Sequence, residues 1–188
     1  ILGYLGVPTS GSSGIAGPAD FVIGQSDFTT GTAAGGQSEL AKPAKVAISA
    51  DGTQLIVADS GNNRVLIWNS LPTNNRPADV IVGQAAFTDS KGNPLNLPNR
   101  GSSAPTATGL ANPTAAAIAN GRLVVVDKDN NRVLIWNKVP TSNGTAADIE
   151  LGQPATDTTK GNCTANSGNS GYCFTTNVSG VDVAVSAT

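Results

Sequence analysis

The chain has 188 residues, of which 39% are hydrophobic, 13% charged and 4% aromatic, with a net charge of −2 and no histidine. That balance excludes the basic surface that nucleic acid or an anionic membrane requires, and no stretch approaches the roughly 20 apolar residues of a spanning helix. Lacking histidine, the chain also lacks the usual general base, the usual zinc ligand and the histidine-dependent triads. No catalytic residue, metal or cofactor is therefore expected.

In chain order, residues 1–28 hold two short apolar runs that read as strands, Ile1–Leu5 and Ala19–Ile23, the second leading into Gly24-Gln25. Thr29–Leu40 is rich in Thr, Gly and Ala, has no periodicity and reads as a loop. Pro43–Asp51 and Val57–Asn69 follow, then Ala78–Gln84, which repeats the Ala-Asp-x-x-x-Gly-Gln pattern of Ala19–Gln25. A second loop, Thr88–Leu110, leads to Pro113–Asn120, Val125–Asn137 and Ala147–Gln153, which restate the three preceding segments. Trp68 and Trp136 lie 68 positions apart, so the chain is a tandem repeat, and a repeat unit cannot bury its apolar face alone. A third loop, Thr156–Val178, ends in Val181–Ala187, which resembles the first run of each unit.

The best-defined unit contains four such runs, Thr114–Ala119, Arg122–Asp127, Arg132–Asn137 and Asp148–Leu151. They are short, rich in Val, Ile and Trp, and bounded by Gly, Asn, Asp and Pro, which predicts strands. Asn120-Gly121 supplies a tight hairpin turn, because both residues tolerate positive φ. Four antiparallel strands repeated radially describe a blade of a β-propeller, so the expected fold class is all-β. The expected organisation is a partial blade (third and fourth strands) in residues 1–28, blades with preceding loops in residues 29–87 and 88–155, and a loop plus one first strand in residues 156–188. Propellers have roughly four to eight blades of four strands. The chain thus reads as part of a longer propeller, or as one completed by another chain.

The run from Pro43 through Val57-Ala-Asp-Ser-Gly-Asn-Asn-Arg-Val65 resembles the NHL repeat, a propeller blade with this signature. Gly24-Gln25 with Phe28 and Gly83-Gln84 with Phe87 are similar to a segment that separates blades in an extended bacterial form; the third copy, Gly152-Gln153, lacks the Phe. The resemblance implies the propeller fold and leaves the activity open, because propellers host many unrelated activities.

The candidate residues have two sets of readings. Asp59, Asn63, Arg64 and Trp68 recur as Asp127, Asn131, Arg132 and Trp136. In the turns, Asp accepts hydrogen bonds from nearby N–H groups and Asn adopts the left-handed conformation, which favours a structural role. The alternative is calcium, but Arg132 stands where an EF-hand loop needs Gly, and Lys138 where it needs Glu. Each Arg is expected to pair with an Asp of its own or a neighbouring blade. The Trp rings are read as filling the space between blades in preference to stacking on a ligand. Asp20, Asp79 and Asp148 read as turn or inter-blade anchors, and three Asn-x-Ser/Thr matches, at Asn143, Asn162 and Asn177, are common in a loop-rich chain. Cys163 and Cys173, in one loop, favour a disulfide and with it an extracellular, cell-surface or periplasmic location.

Loops as long as these are functional or disordered in most compact folds. The leading expectation is a non-catalytic binding or scaffolding module with a protein partner or self-assembly, and with no nucleic acid and no transmembrane segment. Alternatives are a structural subunit of a ring or filament joined through its edges Ile1–Leu5 and Val181–Ala187, and a metal-dependent lyase or hydrolase completed by further blades.

Overall fold

The computed structural model describes residues 1–3, 18–88 and 105–152. Val181–Ala187, both cysteines, the third loop and residues 89–104 of the second lie outside the described residues.

Ten strands are described. β1 (Leu2–Gly3) pairs antiparallel with β2 (Phe21–Val22). The first complete blade is β3 (Pro43–Ile48), β4 (Leu55–Asp59), β5 (Arg64–Trp68) and β6 (Val80–Val82). The second is β7 (Pro113–Ala119), β8 (Arg122–Asp127), β9 (Arg132–Trp136) and β10 (Ile149–Leu151). In both, strands adjacent in sequence are neighbours in an antiparallel sheet. The all-β fold of four-stranded blades expected from the repeat is the one observed.

The strands form where the turns permit. Asn120 and Gly121 both take positive φ, 50° and 71°, as a two-residue hairpin turn requires. The second and third strands of each blade are joined by a single 3-10 turn, Ser60–Asn62 or Lys128–Asn130, closed by an Asn in the left-handed region: Asn63 at φ 54° and Asn131 at φ 50°. Gly24 and Gly83, in the Gly-Gln motif, have φ of 91° and 96°, and a Cβ there would meet Cδ1 of Leu40 at 2.5 Å and of Leu110 at 2.7 Å. The glycine of that motif is thus needed both for its conformation and for the leucine that packs on it.

Side chains alternate between the two faces of each blade. The trailing face of the first blade, with Ile56, Ala58, Val65, Ile67, Val80 and Val82, packs against Leu123, Val125, Leu134 and Trp136 on the leading face of the second. The leading face of the first blade, with Leu55, Val57, Leu66, Trp68 and Ile81, packs against Ile1, Phe21 and Ile23 of the β1–β2 pair. β4, β5 and β6 are consequently buried along their whole length.

Candidate functional site at the loop end of the blades

At one end of the blades the 3-10 turns meet the loops that connect one blade to the next. Asp59 is fully buried there, and its Oδ1 accepts from the Ala41 N–H at 2.7 Å. Its Oδ2 accepts from Asn62 Nδ2 and from Arg64 Nε, both at 2.8 Å. Arg64 then reaches outward: Nη1 donates to Gly35 O at 2.7 Å, and Nη2 donates to Gly36 O at 2.8 Å and to Glu39 O at 2.9 Å. Asn62 Nδ2 adds a bond to Ala34 O at 2.8 Å. The loop Thr29–Leu40 is therefore held by its main chain to the turn of its own blade.

The second blade repeats the arrangement. Asp127 accepts from the Ala111 N–H at 2.7 Å, Asn130 Nδ2 at 2.8 Å and Arg132 Nε at 2.7 Å. Arg132 Nη2 donates to Thr106 O at 2.8 Å and Gly109 O at 2.9 Å. Its Nη1 takes a side chain, Glu150 Oε1 at 3.1 Å, in place of a loop carbonyl. Of the two partners left open for each Arg, the Asp of its own blade is the one found. Burial pushes the Asp59 and Asp127 carboxyls up; the Arg guanidinium, the Asn amide and the backbone N–H oppose that shift.

Both tryptophans are buried, with Trp68 Nε1 donating to Arg76 O at 3.1 Å and Trp136 Nε1 to Thr145 O at 3.0 Å. Their rings fill the leading faces, so neither is free to stack on a ligand. Asp79 Oδ2 accepts from the Asn69 N–H and Asp148 Oδ2 from the Asn137 N–H, each at 2.7 Å, closing the connection between third and fourth strands. Asn63 Oδ1 accepts from the Asn112 N–H of the next blade at 2.9 Å. Cys163 and Cys173 lie outside the described residues. Among the described residues no group of three or more His, Cys, Asp or Glu side chains is placed to hold a metal, and no helix is long and apolar enough to cross a membrane.

Four hydrogen bonds that clasp neighbouring units escaped the sequence reading. Asn75 Oδ1 accepts from the Gly24 N–H at 2.8 Å, and Asn143 Oδ1 from the Ile81 N–H at 3.0 Å. Gly144 N–H donates to Ile81 O at 3.0 Å, which covers the outer edge of β6. Ser60 Oγ donates to Pro113 O across the junction. The signal for the first was present, because Asn75 and Asn143 are 68 positions apart, the repeat period.

A crevice of about 380 Å³ opens beside the anchored loop, lined by Ala33, Ala34, Gly35, Lys42, Gly61 and Asn62. Lys42 also lines a neighbouring crevice of about 310 Å³ that runs to Ile1 and Gln25. Lys42 is exposed and held at φ 49°, in the left-handed region that a lysine rarely adopts. The equivalent residue of the second blade is Asn112, whose Nδ2 donates to Asp129 Oδ1 at 3.1 Å. Asp129 in turn stands where the first blade has Gly61. The side-chain pair that spans this position in the second blade is thus absent from the first.

The repeated sheets, their Asp–Arg turns and the face-to-face junctions define an all-β chain built of propeller-type blades. The family model described as NHL repeat matches residues 40–68, from Leu40 through β3, β4 and β5 to Trp68. A search of curated proteins finds no match to the chain.

Proposed function

We propose that the chain acts as a non-catalytic, extracellular or surface-exposed NHL-type propeller that binds a protein partner through the loop end of its blades. The observation that carries this reading is the grip of Arg64 on three loop carbonyls. An insertion loop fixed in this way presents one shape to a partner, which lowers the ordering cost of binding. The crevice beside it is walled by small residues and carries Lys42 at its lip, a place for a partner side chain to enter. The NHL repeat supports an interaction role in general terms. The extracellular or surface location is supported by the Cys163–Cys173 spacing, and a gain of about 2 Da on reduction of the intact chain would establish the disulfide.

The test uses a photocrosslinking residue at Ala33, on the loop, and another at exposed Leu71, in the connection at the opposite end of the blade. Position 33 is expected to capture a defined partner from the native surface or culture fluid, and position 71 is not. Lys42→Glu should weaken that capture about tenfold, equivalent to about 1.4 kcal/mol of binding. Capture from position 71 alone, or equal capture from both, would sink the proposal.

A further inference from the structure

The turns of the two blades share their buried Asp, Asn and Arg and differ at one pair of facing positions. In the second blade Asn112, just before β7, donates through Nδ2 to Asp129 Oδ1 at 3.1 Å, so the blade seats a carboxylate of its own there. In the first blade the two positions hold Lys42 and Gly61. The frame around them is kept. Lys42 and Asn112 have left-handed φ of 49° and 53°. Gly61 N–H donates to Ala41 O at 2.8 Å, as Asp129 N–H does to Ala111 O at 3.1 Å. The first blade thus puts a cation where the second has an amide, and it supplies no carboxylate. Its turn sits too close for residue 61 to do so, since a Cβ there would meet Ala41 O at 2.5 Å.

We infer that this place is filled from outside, by an aspartate or glutamate side chain of the protein partner seated over Gly61 with a carboxylate oxygen on Lys42 Nζ. This occupant presupposes the binding role proposed above and gives the chemistry that the partner brings. The space is present: Lys42, Gly61 and Asn62 line the crevice of about 380 Å³, every lining residue of which is described. The charge is present and unspent. Lys42 is the one charged side chain among those lining residues, and no described carboxylate pairs with it. The neighbouring donor is already committed, because Asn62 Nδ2 bonds Ala34 O and Asp59 Oδ2. A single ammonium without a cluster of N–H donors suits a carboxylate better than a phosphate. The backbone agrees with this use. Asn tolerates the left-handed region better than Lys does, so Lys42 bears local strain without an internal contact in return, as residues that serve a ligand do.

The test uses random linear peptides displayed on phage, selected in parallel on the 188-residue chain and on its Lys42→Gln variant. Circular dichroism checks that the variant folds, as the exposed position predicts. Wild type is expected to enrich peptides with Asp or Glu at one fixed position, and Lys42→Gln is not. A peptide from the wild-type pool should bind Lys42→Gln about fivefold more weakly and Lys42→Arg nearly as well as wild type. Changing the peptide's acid to its amide should cost the same factor. Both changes together should cost no more than either alone, because they break one contact. A photocrosslinking residue at Ala33, on the crevice wall, should attach the peptide. Peptides that attach at position 33 but share no acid, or bind Lys42→Gln as tightly as wild type, would overturn the carboxylate and leave the binding role standing. Peptides that attach only at position 71, or a selection that enriches nothing, would overturn both.

Discussion

The two complete blades carry the same strands in equivalent register, yet their outer strands live in different surroundings. β6 is buried at every residue and β10 is exposed at every residue. The sequences alone do not account for this, since Val-Ile-Val and Ile-Glu-Leu both place apolar side chains on the trailing face. What differs is the neighbour: the first blade has one on each side, and the second lacks one on its trailing face among the described residues. In a repeat fold, burial belongs to the junction between units more than to the unit.

The comparison can be broken most forcefully at the buried ion pairs. Arg64→Ala leaves Asp59 as an unpaired buried charge and removes the guanidinium donor from three loop carbonyls, and should cost about 3–5 kcal/mol in a urea unfolding experiment. Arg132→Ala removes the donor from two carbonyls, of which Thr106 O keeps the Gly109 N–H, and Glu150 can turn to solvent, so its cost should fall toward the lower end of that range. The double replacement Asp59→Leu/Arg64→Met should cost far less than Arg64→Ala. A single loss under about 1 kcal/mol would show that the pair does not hold the turn.

A second comparison isolates the junction. Ile67→Ala removes a fully buried side chain between two blades and should cost about 2–5 kcal/mol. Ile135→Ala makes the same change at the equivalent, half-buried position and should cost less than half as much in the monomer. Equal losses would mean that the trailing face of the second blade is covered in solution.

The smallest effect sharpens the difference at the crevice. Lys42→Asn installs the residue that the second blade uses in the same left-handed conformation. It should stabilise the chain, by an amount on the order of 1 kcal/mol, read as a shift of the unfolding midpoint. A loss of stability would mean that Lys42 makes a contribution its exposed position conceals.

Much of this fold was legible in the sequence, because the repeat gives each strand a second copy and the turn residues bracket each one. Asn120-Gly121 and the left-handed Asn63 and Asn131 stand where the turn chemistry predicts. The buried partner of Arg64 could be narrowed only to an Asp of its own or an adjacent blade, since residue type does not reveal which carboxylate is within reach. The anchoring of the loop was not legible at all. Its acceptors are main-chain carbonyls of Gly35, Gly36 and Glu39, and a carbonyl leaves no mark on residue identity. Asn75 and Asn143 were overlooked for a related reason: they recur at the repeat period, but Asn is so common in turns that the recurrence did not stand out.

That Arg64 and Arg132 hold carbonyl oxygens has a consequence for how such a chain can change over generations. Gly36 and Glu39 in one loop, and Thr106 and Gly109 in the other, offer their oxygens to the same guanidinium nitrogen although their side chains have nothing in common. Mutations can therefore rewrite the outward side chains of a loop while its fastening persists. The blade keeps a fixed socket into which new surface chemistries can be written without refounding the fold.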